Sequence, residues 1–137
     1  MSMAIRDAMN RFAWIEPTNE PSAIIWRHHE SKHPINVITT RSGLRSRVET
    51  FAQENIAINH NSSKTIILTL GFRLNRGIVF VSLKNDLKKK MLSLHDGVIV
   101  ESVENIIITV TNNSDSLVTI NDGESLCFVT HVNNDYV

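Results

Sequence analysis

The feature that most constrains this chain is its punctuation. Between residues 35 and 132, runs of three to seven β-branched or aromatic residues are cut by turn residues at short intervals. The interruptions are Asn59-His60-Asn61-Ser62-Ser63, Asn75-Arg76-Gly77, Asn112-Asn113-Ser114-Asp115 and Asn121-Asp122-Gly123. Asn and Asp tolerate the left-handed backbone that tight turns need, and Gly adopts it without steric cost. The pattern predicts strands at Ile24–Trp26, Asn36–Thr39, Asn55–Ile58, Thr65–Leu70, Ile78–Leu83, Val98–Val100, Asn105–Thr111, Leu117–Ile120 and Leu126–His131. Many short strands with no long helix between them specify an antiparallel barrel or sandwich. In Ile106-Ile107-Ile108 successive positions are apolar. Both faces of that strand are therefore expected to be covered, as in a central strand or at a subunit contact.

Residues 1–34 have a different texture and hold both tryptophans and three of the six histidines. Met1, Ile5, Met9 and Phe12 fall at helical spacing, which predicts a short helix ended by Pro17. The chain is thus read as an N-terminal arm (1–34), a β-barrel (35–132) and a short tail (133–137). The arm is expected to pack on the barrel or on a neighbouring subunit.

Charge narrows the function. Fourteen Lys and Arg balance fourteen Asp and Glu over 137 residues. A net charge of zero argues against binding nucleic acid by bulk phosphate neutralisation and against anchoring to a membrane by a basic tract. No apolar run approaches the ~18 residues of a membrane span. Arg6, Asp7 and Arg11 interrupt the first segment, which does not read as a secretory signal. One cysteine, Cys127, excludes an internal disulfide. An intracellular protein of cytoplasm or nucleus is the expectation. Lys84, Lys88, Lys89 and Lys90 form the one basic cluster, a candidate anion contact or a solvated face.

Few side chains suggest chemistry by spacing alone. His28, His29, Glu30 and His33 have partial metal-ligand spacing, but a third and fourth ligand cannot be placed, so no metal is expected. Cys127 lies among Leu126, Phe128 and Val129 and reads as an inert core thiol.

Four blocks in order carry a resemblance. They are Gly97-Val98-Ile99-Val100-Glu101-Ser102, Asn105 through Val110, Asn112-Asn113-Ser114-Asp115, and Val118 through Glu124. Together they resemble the G-V-I-D, sheet strand, N-x-S-D and x-I-x-x-G-D series of the trimeric dUTPases, jelly-roll barrels that cleave dUTP to dUMP and pyrophosphate. The five glycines can be laid on that family's turns: Gly43 in the first motif, Gly71 and Gly77 around a hairpin, Gly97 in the third motif and Gly123 in the fourth. The resemblance implies an all-β, dUTPase-like jelly-roll β-barrel with a short helical or irregular N-terminal arm, assembled as a homotrimer.

The same resemblance marks positions that have lost their chemistry. A carboxylate of the third motif orients and activates the attacking water, work worth roughly 10²–10⁴-fold. Val100 stands in its place and accepts no proton. Glu101 is adjacent, but neighbouring side chains on a strand point to opposite faces. Arg45 replaces the acid of the first motif. The second motif becomes Leu83-Lys84-Asn85-Asp86-Leu87: Lys84 keeps a cation, Asn85 stands for a serine, and Asp86 brings a charge that repels phosphate. Phe128 replaces the glutamine of the fourth motif. The chain ends six residues after His131, so the glycine-rich closing arm is expected to be absent. The resemblance implies a non-catalytic pseudoenzyme of viral type, without cofactor, acting as an interaction or assembly module on an unidentified protein partner. The alternatives are a diverged dUTP or nucleotide hydrolase or binder, and a structural virion-associated oligomer.

Overall fold

The structure, a computed structural model, describes residues 10–15, 20–39, 46–95, 97–99 and 101–132. Among these residues it is built from short antiparallel strands and one helical turn. In chain order they are β1 (Arg11–Ile15), β2 (Pro21–Arg27), β3 (Asn36–Thr39), β4 (Ser46–Phe51), β5 (Ile56–Ile58), β6 (Ser63–Ile67) and β7 (Leu70–Leu74). There follow β8 (Ile78–Leu83), the turn α1 (Asn85–Lys88), β9 (Leu92–His95), β10 (Val98–Ile99), β11 (Ile107–Asn112), β12 (Val118–Ile120) and β13 (Ser125–Val132). The sheets run β1-β2-β7, β10-β8-β13-β4-β3, β6-β11-β9 and β12-β5. The expected all-β architecture is what the chain adopts.

Strand alternation builds one core from all four sheets. Along β8, Val79, Val81 and Leu83 are buried while Phe80 and Ser82 face outward. Ile25, Val48, Phe72, Val110, Ile120 and Val129 complete the same apolar cluster. Each such side chain contributes roughly 1.5–3 kcal/mol by leaving water.

The N-terminal segment differs from its expectation. Residues 1–9 lie outside the described part, but Arg11–Ile15 is a strand rather than the end of a helix. Phe12 and Trp14, two apart, share one side of it and meet edge-on at 5.0 Å between ring centres. Trp14 donates its indole N–H to the Ser46 carbonyl at 2.9 Å, giving its one polar atom a partner. β2 pairs along its length with β7. The segment expected to be an arm therefore supplies Trp14, Ala23 and Ile25 to the common core. The tail, 133–137, lies outside the described residues.

Gly71 is not at a turn. It sits within β7 opposite Trp26, where an added Cβ would run into the indole ring. Gly71→Ala is expected to displace the Trp26 ring and to cost about 1–3 kcal/mol, read as a lower urea midpoint with unchanged slope. Gly77 does occupy a turn, at φ +86° and against the Val132 carbonyl.

β11 is the central strand of its sheet, as expected, but among the described residues only one of its faces is well covered. Ile106 and Ile108 are buried, whereas Ile107 is 58% exposed directly opposite Ile67, itself 54% exposed. The row behind them is Thr109 between Thr65 and His95, and the next is Thr111 between Ser63 and Ser93. No helix among the described residues is long and apolar enough to cross a membrane.

Candidate functional site

The outer face of the five-stranded sheet brings together two of the residues that the sequence marked, Lys84 and Phe128. β4 pairs with β13 so that Glu49 lies opposite Phe128, and with β3 so that Asn36 flanks Glu49 on the other side. β8 ends at Leu83, and the Lys84 amide donates to the Leu126 carbonyl at 3.0 Å, fixing where α1 begins. Leu87 anchors that helical turn in the core.

Lys84 turns back over the sheet and donates to Glu49 Oε2 at 2.8 Å. Ser125 Oγ donates to the same oxygen at 2.5 Å, and Asn36 Nδ2 to Oε1 at 2.9 Å. The Phe128 ring lies alongside, with the Arg47 guanidinium 4.0 Å and the Lys84 ammonium 5.6 Å from its centre. Both distances suit cation–π attraction.

Electrostatics follow from this packing. Glu49 is only 7% exposed, and burial pushes its carboxyl up. Hydrogen bonds from Lys84, Ser125 and Asn36, with the Lys84 charge, outweigh burial and bring its pKa from 4.5 to about 2. A general base near neutral pH needs a far higher proton affinity. Glu49 is thus a permanent counter-ion, and the one cation kept from the second motif is already spoken for.

The other marked residues scatter. Asn85 and Asp86 are exposed in α1. Lys88 and Lys89 are exposed and form no ion pair among the described residues, while Lys90 lies 3.8 Å from Glu124. Glu101 is exposed in the bend after β10. Arg45 and Val100 lie outside the described residues. The structure therefore brings together Lys84 and Phe128, and adds Arg47, Glu49, Ser125 and Asn36, which sequence reasoning did not single out. A glutamate between Val48 and Thr50 in a β-like run was the available signal.

The histidines diverge. His28 Nε2 bonds the Glu104 carbonyl and His33 Nε2 bonds Asp122 Oδ1, each at 2.6 Å, while His29 lies beside Glu30. Among the described residues no three His, Cys, Asp or Glu side chains gather as a metal would require. Cys127 is buried with its Sγ 2.9 Å from Thr50 Oγ1. Burial pushes its thiol up to about 12, against the hydrogen bond from Thr50, so it stays protonated and inert.

Comparison with known proteins gives a fold. No protein-family model and no curated protein matches the chain. Solved structures do. The native EIAV dUTPase superposes with a TM-score of 0.56 at 14% identity, covering 91% of this chain and 88% of that one. A variant dUTPase of the Staphylococcus aureus phage phi11 gives 0.64 at 13% identity, over 81% of this chain and 90% of its own. A variant dUTPase of Staphylococcus bacteriophage 80alpha gives 0.65 at 12% identity, over 81% and 89%. The chain has a dUTPase-like fold.

Proposed function

We propose that this chain is a non-catalytic protein of dUTPase-like fold, of viral type, that works as an interaction or assembly module and forms a homo-oligomer, a trimer by resemblance. The observation that carries the reading is the 2.8 Å ion pair between Lys84 and Glu49. A phosphate approaching Lys84 must displace a buried carboxylate already held by three donors, or share the cation with it at the cost of like-charge repulsion. Val100, at the position of the water-activating acid, adds that no proton acceptor is supplied there. The Arg47 guanidinium lies over the Phe128 ring, a surface on which a base could otherwise stack. Staphylococcus phage dUTPases of this fold control transfer of virulence genes, which supports an interaction role for a chain of this fold.

Thermal denaturation with dUTP and magnesium tests this. A ligand at 100 times its dissociation constant stabilises the native state by about 2.7 kcal/mol, roughly 8 °C for a domain of this size. No shift in melting temperature is expected at millimolar dUTP. A shift of several degrees would favour a surviving nucleotide site.

A further inference from the structure

On the outer face of the five-stranded sheet one charge is left over. Lys84 and Glu49 neutralise each other at 2.8 Å. Arg47, exposed on β4, forms no ion pair among the described residues. Its guanidinium lies 4.0 Å from the centre of the Phe128 ring. An aromatic ring against a guanidinium restrains its plane and uses none of its N–H donors, so little side-chain freedom remains to be lost when those donors meet a carboxylate. Apolar side chains stand beside it. Strand register sets Ile38, Arg47, Thr130 and Phe80 in one row on that face, and Phe80 is 40% exposed. Arginine and aromatic residues are what protein interfaces concentrate at their centres. The same sign of charge continues past the end of β8, where Lys88 and Lys89 are exposed and form no ion pair among the described residues, against the single acid Asp86 of that helical turn.

We propose that this face binds an acidic polypeptide segment of another protein, with an Asp or Glu carboxylate on Arg47 and an apolar side chain against Phe80. The inference rests on the interaction reading above and names the chemistry of the partner. The unpaired cations select for negative charge. A planar carboxylate meets a guanidinium through two parallel hydrogen bonds. A polypeptide also brings the apolar side chain that Phe80 and Ile38 can cover, which a phosphodiester backbone does not. The Phe128 ring is already occupied by Arg47, which removes a stacking platform for a nucleic-acid base. A second copy meeting this face with its own would double the unpaired cations rather than answer them.

The probe is a displayed library of random short peptides, selected on the purified chain. Enriched peptides are expected to join Asp or Glu to an aromatic or aliphatic residue. Their synthetic counterparts should bind Arg47→Gln at least about tenfold more weakly than the wild type by fluorescence polarisation, and Phe80→Ser should weaken them as well. Lys64→Gln, an exposed change on β6 away from this face, should leave their affinity unchanged. Circular dichroism checks that each variant folds. Peptides that bind the wild type and Arg47→Gln alike would overturn the face and leave the interaction reading standing. Enrichment of peptides without an acid, or of none, would overturn the acidic partner. Binding of an oligothymidylate that is lost in Arg47→Gln, with no acidic peptide selected, would give the face to phosphate and overturn the proposal too. The melting test with dUTP addresses the non-catalytic reading independently of these outcomes.

Discussion

Lys84→Met is expected to lower the unfolding free energy by about 3 kcal/mol, and adding Glu49→Gln to the same chain to recover most of that loss. The single substitution leaves a carboxylate that is 7% exposed facing an apolar side chain. Stranding a buried charge costs about 3–5 kcal/mol, and the low end applies because the Lys84 side chain is one-third exposed, so water reaches this spot. Gln in place of Glu49 removes the stranded charge and keeps an acceptor for Ser125. The two substitutions should therefore be coupled by about 2 kcal/mol in a double-mutant cycle of urea denaturation. Additive losses would mean that the ion pair is incidental to the packing.

Acidity provides a second view of the same network. The Glu49 carboxyl titrates near 2 in the folded chain and at 4.5 ordinarily. A group whose folded value is depressed stabilises the fold above its ordinary value, and that stability disappears as pH falls toward the folded value. The gap corresponds to roughly 3 kcal/mol lost between about pH 4.5 and 2. Glu49→Gln should flatten that part of the pH profile.

Asn112→Ala is expected to be at least as damaging, at about 3–4 kcal/mol. Asn112 is fully buried at the end of β11, where it ties three segments together. Its amide nitrogen donates to the carbonyls of Ile58 and Ser116, each at 2.9 Å. Its side-chain oxygen accepts from the Ser114 amide at 2.9 Å and the Ser114 hydroxyl at 2.7 Å. Truncation leaves these groups without their partner, at about 1–3 kcal/mol for each buried one that water cannot reach. Asn112→Asp should be worse than Asn112→Ala, because a carboxylate cannot donate to the two carbonyls and brings a buried charge. Denaturation midpoints order the three chains. A wild-type-like Asn112→Asp would refute the hydrogen-bond assignment.

Turns were the most legible part of the sequence, because left-handed backbone is a local demand. Asn61, Gly77 and Gly123 occupy positive φ within turns anticipated from Asn, Asp and Gly alone. Strands β3 and β8, regular runs without interruption, have the bounds that their composition suggested. Elements whose character depends on distant partners were hidden. β4 reads Ser-Arg-Val-Glu-Thr-Phe, and Glu49 is tolerable there only because Lys84 and Ser125, 35 and 76 positions away, come to it. β7 contains a glycine that weakens a strand pattern and is explained only by Trp26 packing over it. β9 follows Met91 at φ +68°, a conformation that nothing about methionine announces. Phe12 fits helical and strand spacing alike, and pairing with β2 decides between them in Arg11–Ile15. For the candidate site, the motif positions Lys84 and Phe128 could be marked from sequence. The carboxylate that neutralises Lys84 could not, since it lies on a strand the sequence pattern did not give.

On the function proposed above, a fold that carries dUTP hydrolysis in its structural neighbours works here without that chemistry. Pyrophosphate release from dUTP and magnesium, followed with purified chain at tens of micromolar, tests it most directly. The expected result is a rate equal to buffer alone, unchanged by Lys84→Met or Glu49→Gln. Saturable, dUTP-specific release of pyrophosphate by the wild type would contradict it.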